Sequence, residues 1–250
     1  LQKELIKSCL DNNSWSYNLM AGRVYAALTF KELYNNDIPT IKELHTKLAD
    51  LGLMVTLNFT DDEYAEIENI IDHNRDFQTT YSALQHIKEK YSIQNRVTGE
   101  FYESQQFTHM RMAMALAEVE TENKLEHVEK YYNNFSMKLI NAPTPNYVNL
   151  GTPLRGFASC MLYTTKDSAK SLAVGDHIAY TMTCQSAGIG ANINTRSIGD
   201  PVRGGAIKHQ GKLPYLRELD GAVHANLQSG RGGACTVHYD AFDPEVETLL

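Results

Sequence analysis

The chain has 250 residues, 42% of them hydrophobic and 21% charged, a balance that reads as soluble and globular, one large domain or two smaller ones. A formal net charge of −7 disfavours a basic surface for nucleic acid but leaves room for a local phosphate pocket. Four cysteines make no secreted disulfide framework, which points to a reducing, cytoplasmic setting. No run approaches the roughly 20 apolar residues of a membrane span, and the N-terminus lacks a signal-peptide layout.

Residues 1–137 read as a helical domain. Ser14 to Tyr34 carries Leu19, Val24, Ala27 and Leu28 at helical spacing, and Ile41 to Leu51 forms a second helix. Thr60-Asp61-Asp62-Glu63 spells a capping box that opens a helix to about Ile71. Further helices are expected over Thr79–Tyr91, Gln105–Glu118 and Thr121–Phe135, with a tight hairpin at Asn95–Glu100. Residues 138–250 change character. Most of the 16 glycines lie after residue 150, and short apolar strands alternate with helices: Phe157–Thr164, then Asp167–Cys184, with Cys235–Tyr239 as another strand. That order implies parallel pairing in an α/β sheet or barrel. The chain opens on Leu1 and closes on Glu245–Leu250, which reads as the start of a helix, so both ends are expected to belong to something longer.

Several motifs have both a bland and a chemical reading. Gly188-Ile189-Gly190 resembles the start of a dinucleotide fingerprint, but it follows a helix and Ile193 stands where the third glycine would be. Those glycines more plainly serve close backbone approach. The nine histidines form no metal-ligand pattern, so no metal site is expected. Arg203-Gly204-Gly205 and Arg231-Gly232-Gly233 are either turns with exposed arginines or phosphate sites, with a guanidinium fork beside open backbone N–H groups. Asp167-Ser168 suits a helix N-cap and equally a nucleotide contact. Thr144, between Pro143 and Pro145, reads by itself as a rigid bend. Cys160, at the end of a short strand, reads as a small buried hydrophobe or a redox thiol. No C-x-x-C occurs, and Cys9, Cys184 and Cys235 are taken as packed residues.

Taken in order, Pro143-Thr144-Pro145, Thr152-Pro153, Ser159-Cys160, Asp167-Ser168, Ala187-Gly188-Ile189-Gly190, Pro201–Gly205, Arg231–Ala234 and Glu245–Leu250 resemble the large subunit of aerobic, class I ribonucleotide reductase. The resemblance implies a helical N-terminal domain, with a remnant of an ATP cone near Leu1–Asn35, followed by the first part of a ten-stranded α/β barrel. It implies reduction of ribonucleoside diphosphates for deoxyribonucleotide biosynthesis and DNA replication. In that chemistry a thiyl radical takes the 3′ hydrogen and a redox-active cysteine pair supplies the reducing equivalents. Cys160 resembles one of that pair. Thr144, Ser159, Ala187 and Gly188 match substrate positions, Ser159 through its backbone if not its side chain. Asp167, Ser168, Arg196 and Arg203 match an allosteric site for a deoxynucleoside triphosphate or ATP. Gln228 and Arg231 match the loop that reports effector identity.

The same resemblance implies partners. They are a homodimer through the helices after Asp167 and before Gln228, a small subunit holding a di-iron or di-manganese radical cofactor, and thioredoxin or glutaredoxin as indirect reductant. The Asn-x-Cys-x-Glu motif with the radical cysteine and general-base Glu is missing. So are the second reducing cysteine, the tyrosine relay and the C-terminal cysteine pair. A remaining C-terminal part of the large subunit, as in a split subunit, is therefore expected as a further partner. Two alternatives stand beside this reading: a non-catalytic fragment that binds effector and dimerises, and a piece of a cobalamin-dependent, class II reductase.

Overall fold

The computed structural model describes residues 1–35, 37–185, 187–225 and 234–250, which form two compact units, Leu1–Phe157 and Ala158–Leu250. Composition changes near residue 137, but residues 138–157 stay with the first unit, where a short helix packs on its central helix.

The first unit is built from helices: α1 (Gln2–Asp11), α2 (Trp15–Tyr34), α3 (Ile41–Asp50), α4 (Asp61–Ile70), α5 (Tyr81–Lys90), α6 (Gln105–Ala117), α7 (Lys124–Ser136) and α8 (Thr144–Asn149). A 3-10 turn spans His73–Gln78, and strands β1 (Gln94–Asn95) and β2 (Glu100–Phe101) make the expected hairpin. Local chemistry sets several boundaries. The Ser14 hydroxyl accepts from the Tyr17 N–H, and Thr40 with Glu43 and Thr60 with Glu63 form complete capping boxes. Such caps satisfy N–H groups that a helix start would otherwise leave unpaired.

Helix α1 lies outside the expected elements. It has no side-chain cap, and it buries only Ile6 and Cys9, against Ala21 of α2. Thr144 is not at a bend but at the start of α8, because Pro145 falls where a helix start tolerates proline.

Helix α6 is the axis of this unit, with every residue from Gln105 to Met114 buried. Phe107, Met110 and Met114 meet Ile41, Leu44 and Leu48 of α3, Ile67 of α4, and Val128 and Tyr132 of α7. Each such side chain contributes about 1.5–3 kcal/mol of transfer free energy. The polar residues on the same helix are therefore buried too. Gln106 Nε2 donates to Asp76 at 2.8 Å and Gln106 Oε1 accepts from Tyr132 at 2.8 Å. His109 and His45 are held neutral, burial pushing each down to about 3.

The second unit runs β3 (Cys160–Thr164), α9 (Ala169–Cys184), β4 (Gly188–Asn192), β5 (Pro201–Val202), β6 (Ile207–Lys208), α10 (Leu213–His224), β7 (Cys235–His238) and α11 (Val246–Leu249). The strand order β3-β4-β7 is parallel throughout, as strand–helix alternation predicts. Period-two alternation sends Met161, Tyr163, Ile189, Ala191 and Val237 to one face. There Leu172 and Ala179 of α9 and Leu219 and Val223 of α10 cover them. Cys160 begins β3 rather than ending it, so Ser159 lies just before the strand. Gly188-Ile189-Gly190 lies within β4 itself, not in a strand-to-helix turn, which removes the dinucleotide reading. Among the described residues, no helix is long and apolar enough to cross a membrane.

Candidate active site

Cys160 is a free, exposed thiol at the leading end of β3. Its register partner is Gly188, so both residues share the sheet face opposite α9 and α10. The Gly188 N–H donates to the Ser159 carbonyl at 2.8 Å, and the Ile189 N–H donates to the Ala234 carbonyl at 2.8 Å. The Ser159 carbonyl is thus taken up in the strand pairing, and its hydroxyl lies 3.9 Å from Cys160 Sγ. A Cβ at position 188 would stand 3.6 Å from Cys160 Sγ. Glycine keeps that contact position on the thiol open to something else. Ala187 is buried. Four of the expected residues, Ser159, Cys160, Ala187 and Gly188, are thus neighbours at the leading ends of two paired strands. Thr144 belongs to the first unit, where it opens α8.

A second cluster forms around the turn between β3 and α9. Thr165 is buried, its N–H donating to the Asn192 carbonyl at 2.9 Å, while its hydroxyl accepts from the Asn194 N–H at 3.0 Å. These bonds bring the start of α9 beside the segment after β4. Across that junction Arg196 Nε donates to Asp167 Oδ2 at 3.0 Å, and Arg196 Nη1 donates to the Pro201 carbonyl at 2.9 Å. The pair is partly exposed, and the guanidinium keeps further N–H donors for an anion. Ser168 caps α9 by accepting from the Ser171 N–H. Arg203 is exposed in the turn between antiparallel β5 and β6, with φ of 51°. Gly204 and Gly205 follow it with φ of 66° and 93°, a conformation that glycine holds without strain. Asp167, Ser168 and Arg196 are brought together, and Arg196 bonds Pro201, two residues before Arg203. Gln228 and Arg231 lie outside the described residues. No metal-binding group of His, Cys, Asp and Glu occurs among the described residues.

The role of Glu245, which reads from sequence only as the start of a helix, and the buried pair of Glu103 and Arg111 escaped sequence reasoning. Glu245, 4% exposed, accepts from the Ile198 N–H and the Lys212 N–H, each at 2.9 Å, and so holds both ends of the loop bearing Arg203. Within the first unit, Arg111 and Glu103 form a fully buried ion pair beside α8. The backbone groups that Glu245 and Arg111 hold lie far along the chain, so no spacing announces either role.

A parallel sheet with helices on one face and a free thiol at one strand end, preceded in the chain by a helical unit, is what the opening part of an α/β barrel after an all-helical domain would show. Family models agree: "Ribonucleotide reductase, all-alpha domain" matches residues 77–155, and "Ribonucleotide reductase, barrel domain" matches residues 158–250. The whole chain is 33% identical to "Ribonucleoside-diphosphate reductase 1 subunit alpha" of Escherichia coli K12, over 34% of that protein. It is equally similar to the corresponding alpha subunit of Buchnera aphidicola from Schizaphis graminum, again over 34% of its length. Over 77% of the chain it is 36% identical to the alpha subunit of Enterobacteria phage T4, covering 26% of that relative. The chain belongs to the ribonucleotide reductase large-subunit family, and it spans about a third of the length of the curated relatives it matches.

Proposed function

We propose that this chain supplies the helical domain and the first barrel strands of a ribonucleoside-diphosphate reductase large subunit. The observation that carries the reading is the exposed Cys160 thiol in register with Gly188, open on the face that the helices leave uncovered. On this reading Cys160 is one member of the reducing pair. Two thiols give up two electrons and two protons and become a disulfide, while the ribose 2′-hydroxyl leaves as water. The second thiol, the radical cysteine and the general-base carboxylate come from the remaining part of the large subunit. When bound, a radical-generating small subunit supplies the oxidising equivalent that starts each turnover. The backbone at Ser159, Ala187 and Gly188 would contact substrate in the second unit, and Thr144 is a proposed substrate contact of the first.

Asp167, Ser168, Arg196 and Arg203 would form the triphosphate effector site. The acid suits a sugar or base edge, and the planar cations suit phosphate oxygens. Exposed Val174 and Tyr180 on α9 offer apolar surface for the expected pairing with a second copy.

Complementation tests this. The chain, mixed with the missing C-terminal portion and a radical subunit, is expected to reduce a nucleoside diphosphate over many turnovers. C160S is expected to abolish multiple turnover while leaving triphosphate affinity unchanged by calorimetry. R203A is expected to weaken that affinity by about tenfold, the loss of one charge-assisted contact. Effector binding without turnover in a folded wild-type mixture would instead support the non-catalytic fragment. Equal turnover by C160S would remove the redox role.

A further inference from the structure

Arg111 and Glu103 are wholly buried, and Arg111 Nε donates to Glu103 Oε1 at 2.7 Å. Such a pair is rarely the best way to fill a core, because apolar residues of similar volume avoid the cost of desolvating two charges. Its other bonds show what it holds. Arg111 Nη2 donates to the Tyr147 carbonyl at 2.9 Å, and Nη1 donates to the Leu150 carbonyl. Both acceptors lie at the C-terminal end of α8, where a helix has carbonyls without intrahelical donors. Helix α8 has only six residues, too few to stand by itself.

Glu103 is itself fixed. Its Oε2 accepts from the Ile93 N–H at 2.9 Å, from Thr108 at 3.3 Å and from Arg111 Nη2 at 3.2 Å. The chain leaves α8 closely over the arginine stem. Gly151 has φ of 74°, and a Cβ there would sit 2.9 Å from Arg111 Cγ. Lysine could not copy the arrangement, since a single ammonium on a flexible stem lacks the guanidinium fork that spans a carboxylate and two carbonyls.

We propose that the Glu103–Arg111 pair is a positioning device that fixes α8, and with it Thr144, for contact with a nucleoside diphosphate substrate. This rests on the reading of Thr144 as a substrate contact. Arg111 touches no substrate; it acts through the carbonyls of Tyr147 and Leu150.

The test compares R111K, the doubly apolar R111M/E103L and T144A in the reductase reconstituted with the remaining large-subunit portion and a radical subunit. T144A and both Arg111 variants are expected to raise KM for the diphosphate about tenfold, the scale of a modest misplacement of a binding group. For both Arg111 variants, kcat is expected to stay near wild type and effector affinity to be unchanged. R111M/E103L leaves no unpaired charge in the core, so it keeps the comparison alive where R111K folds poorly. A purely structural pair would give wild-type KM in R111M/E103L. A raised KM in T144A with wild-type KM in both Arg111 variants would overturn the positioning role and leave Thr144 its own. Wild-type KM in T144A would overturn the Thr144 reading and the proposal together.

Discussion

Asp76 shows what burial does to a single side chain. It is 2% exposed, and its carboxylate accepts from Gln106 Nε2 at 2.8 Å. Burial pushes it up to about 7, against the opposing pull of the Gln106 hydrogen bonds and the Lys138 charge, with Asp72 adding repulsion. An acid raised in the folded state favours folding when protonated. That contribution is fully present below about pH 4 and is lost as pH rises through 7. D76N keeps an oxygen to accept from Gln106 and cannot ionise. Urea unfolding is expected to show D76N gaining on wild type as pH rises from 4 to 8, by on the order of 4 kcal/mol for a carboxyl raised to about 7. A difference that stays the same from pH 4 to pH 8 would mean the ionised carboxylate is well paired.

At the scale of elements, what reads from sequence is what is determined locally. Helix α4 is legible because Thr60 and Glu63 satisfy each other's backbone groups within one turn. Strands β3 and β7 are legible from short apolar runs, and their parallel order from the helices between. Strand β4 is not, since Gly188 and Gly190 look like loop residues until register places Gly188 opposite Cys160. Helix α8 hides behind two prolines, and its C-terminal end is completed by Arg111 from another helix. Only tertiary folding brings those groups together. The candidate site divides in the same way. Cys160, Asp167 and Arg203 stand in recognisable order along the chain. Glu103, Arg111 and Glu245 act on backbone groups that no spacing in the sequence connects.

For the molecule as a whole, the second unit holds a sheet finished on one face only. Helices α9 and α10 cover Met161, Tyr163 and Ile189, while Leu162 on the other face is 81% exposed. Among the described residues, β3 and β7 each pair on one side alone. Unpaired strand edges and an uncovered apolar side chain favour association with another sheet. On the proposed reading, the missing part of the barrel satisfies both. L162T puts a β-branched, strand-favouring residue in place of leucine while removing most of the exposed apolar surface. In the chain alone, L162T is expected to lower self-association measured by sedimentation velocity. It should leave the unfolding of the helical unit unchanged, because no core residue there is touched. Mixed with the missing C-terminal portion, wild type is expected to lose its self-association and L162T to assemble less tightly. Self-association that is the same in L162T and wild type, and persists in the mixture, would show that this sheet face is not where the rest of the barrel closes.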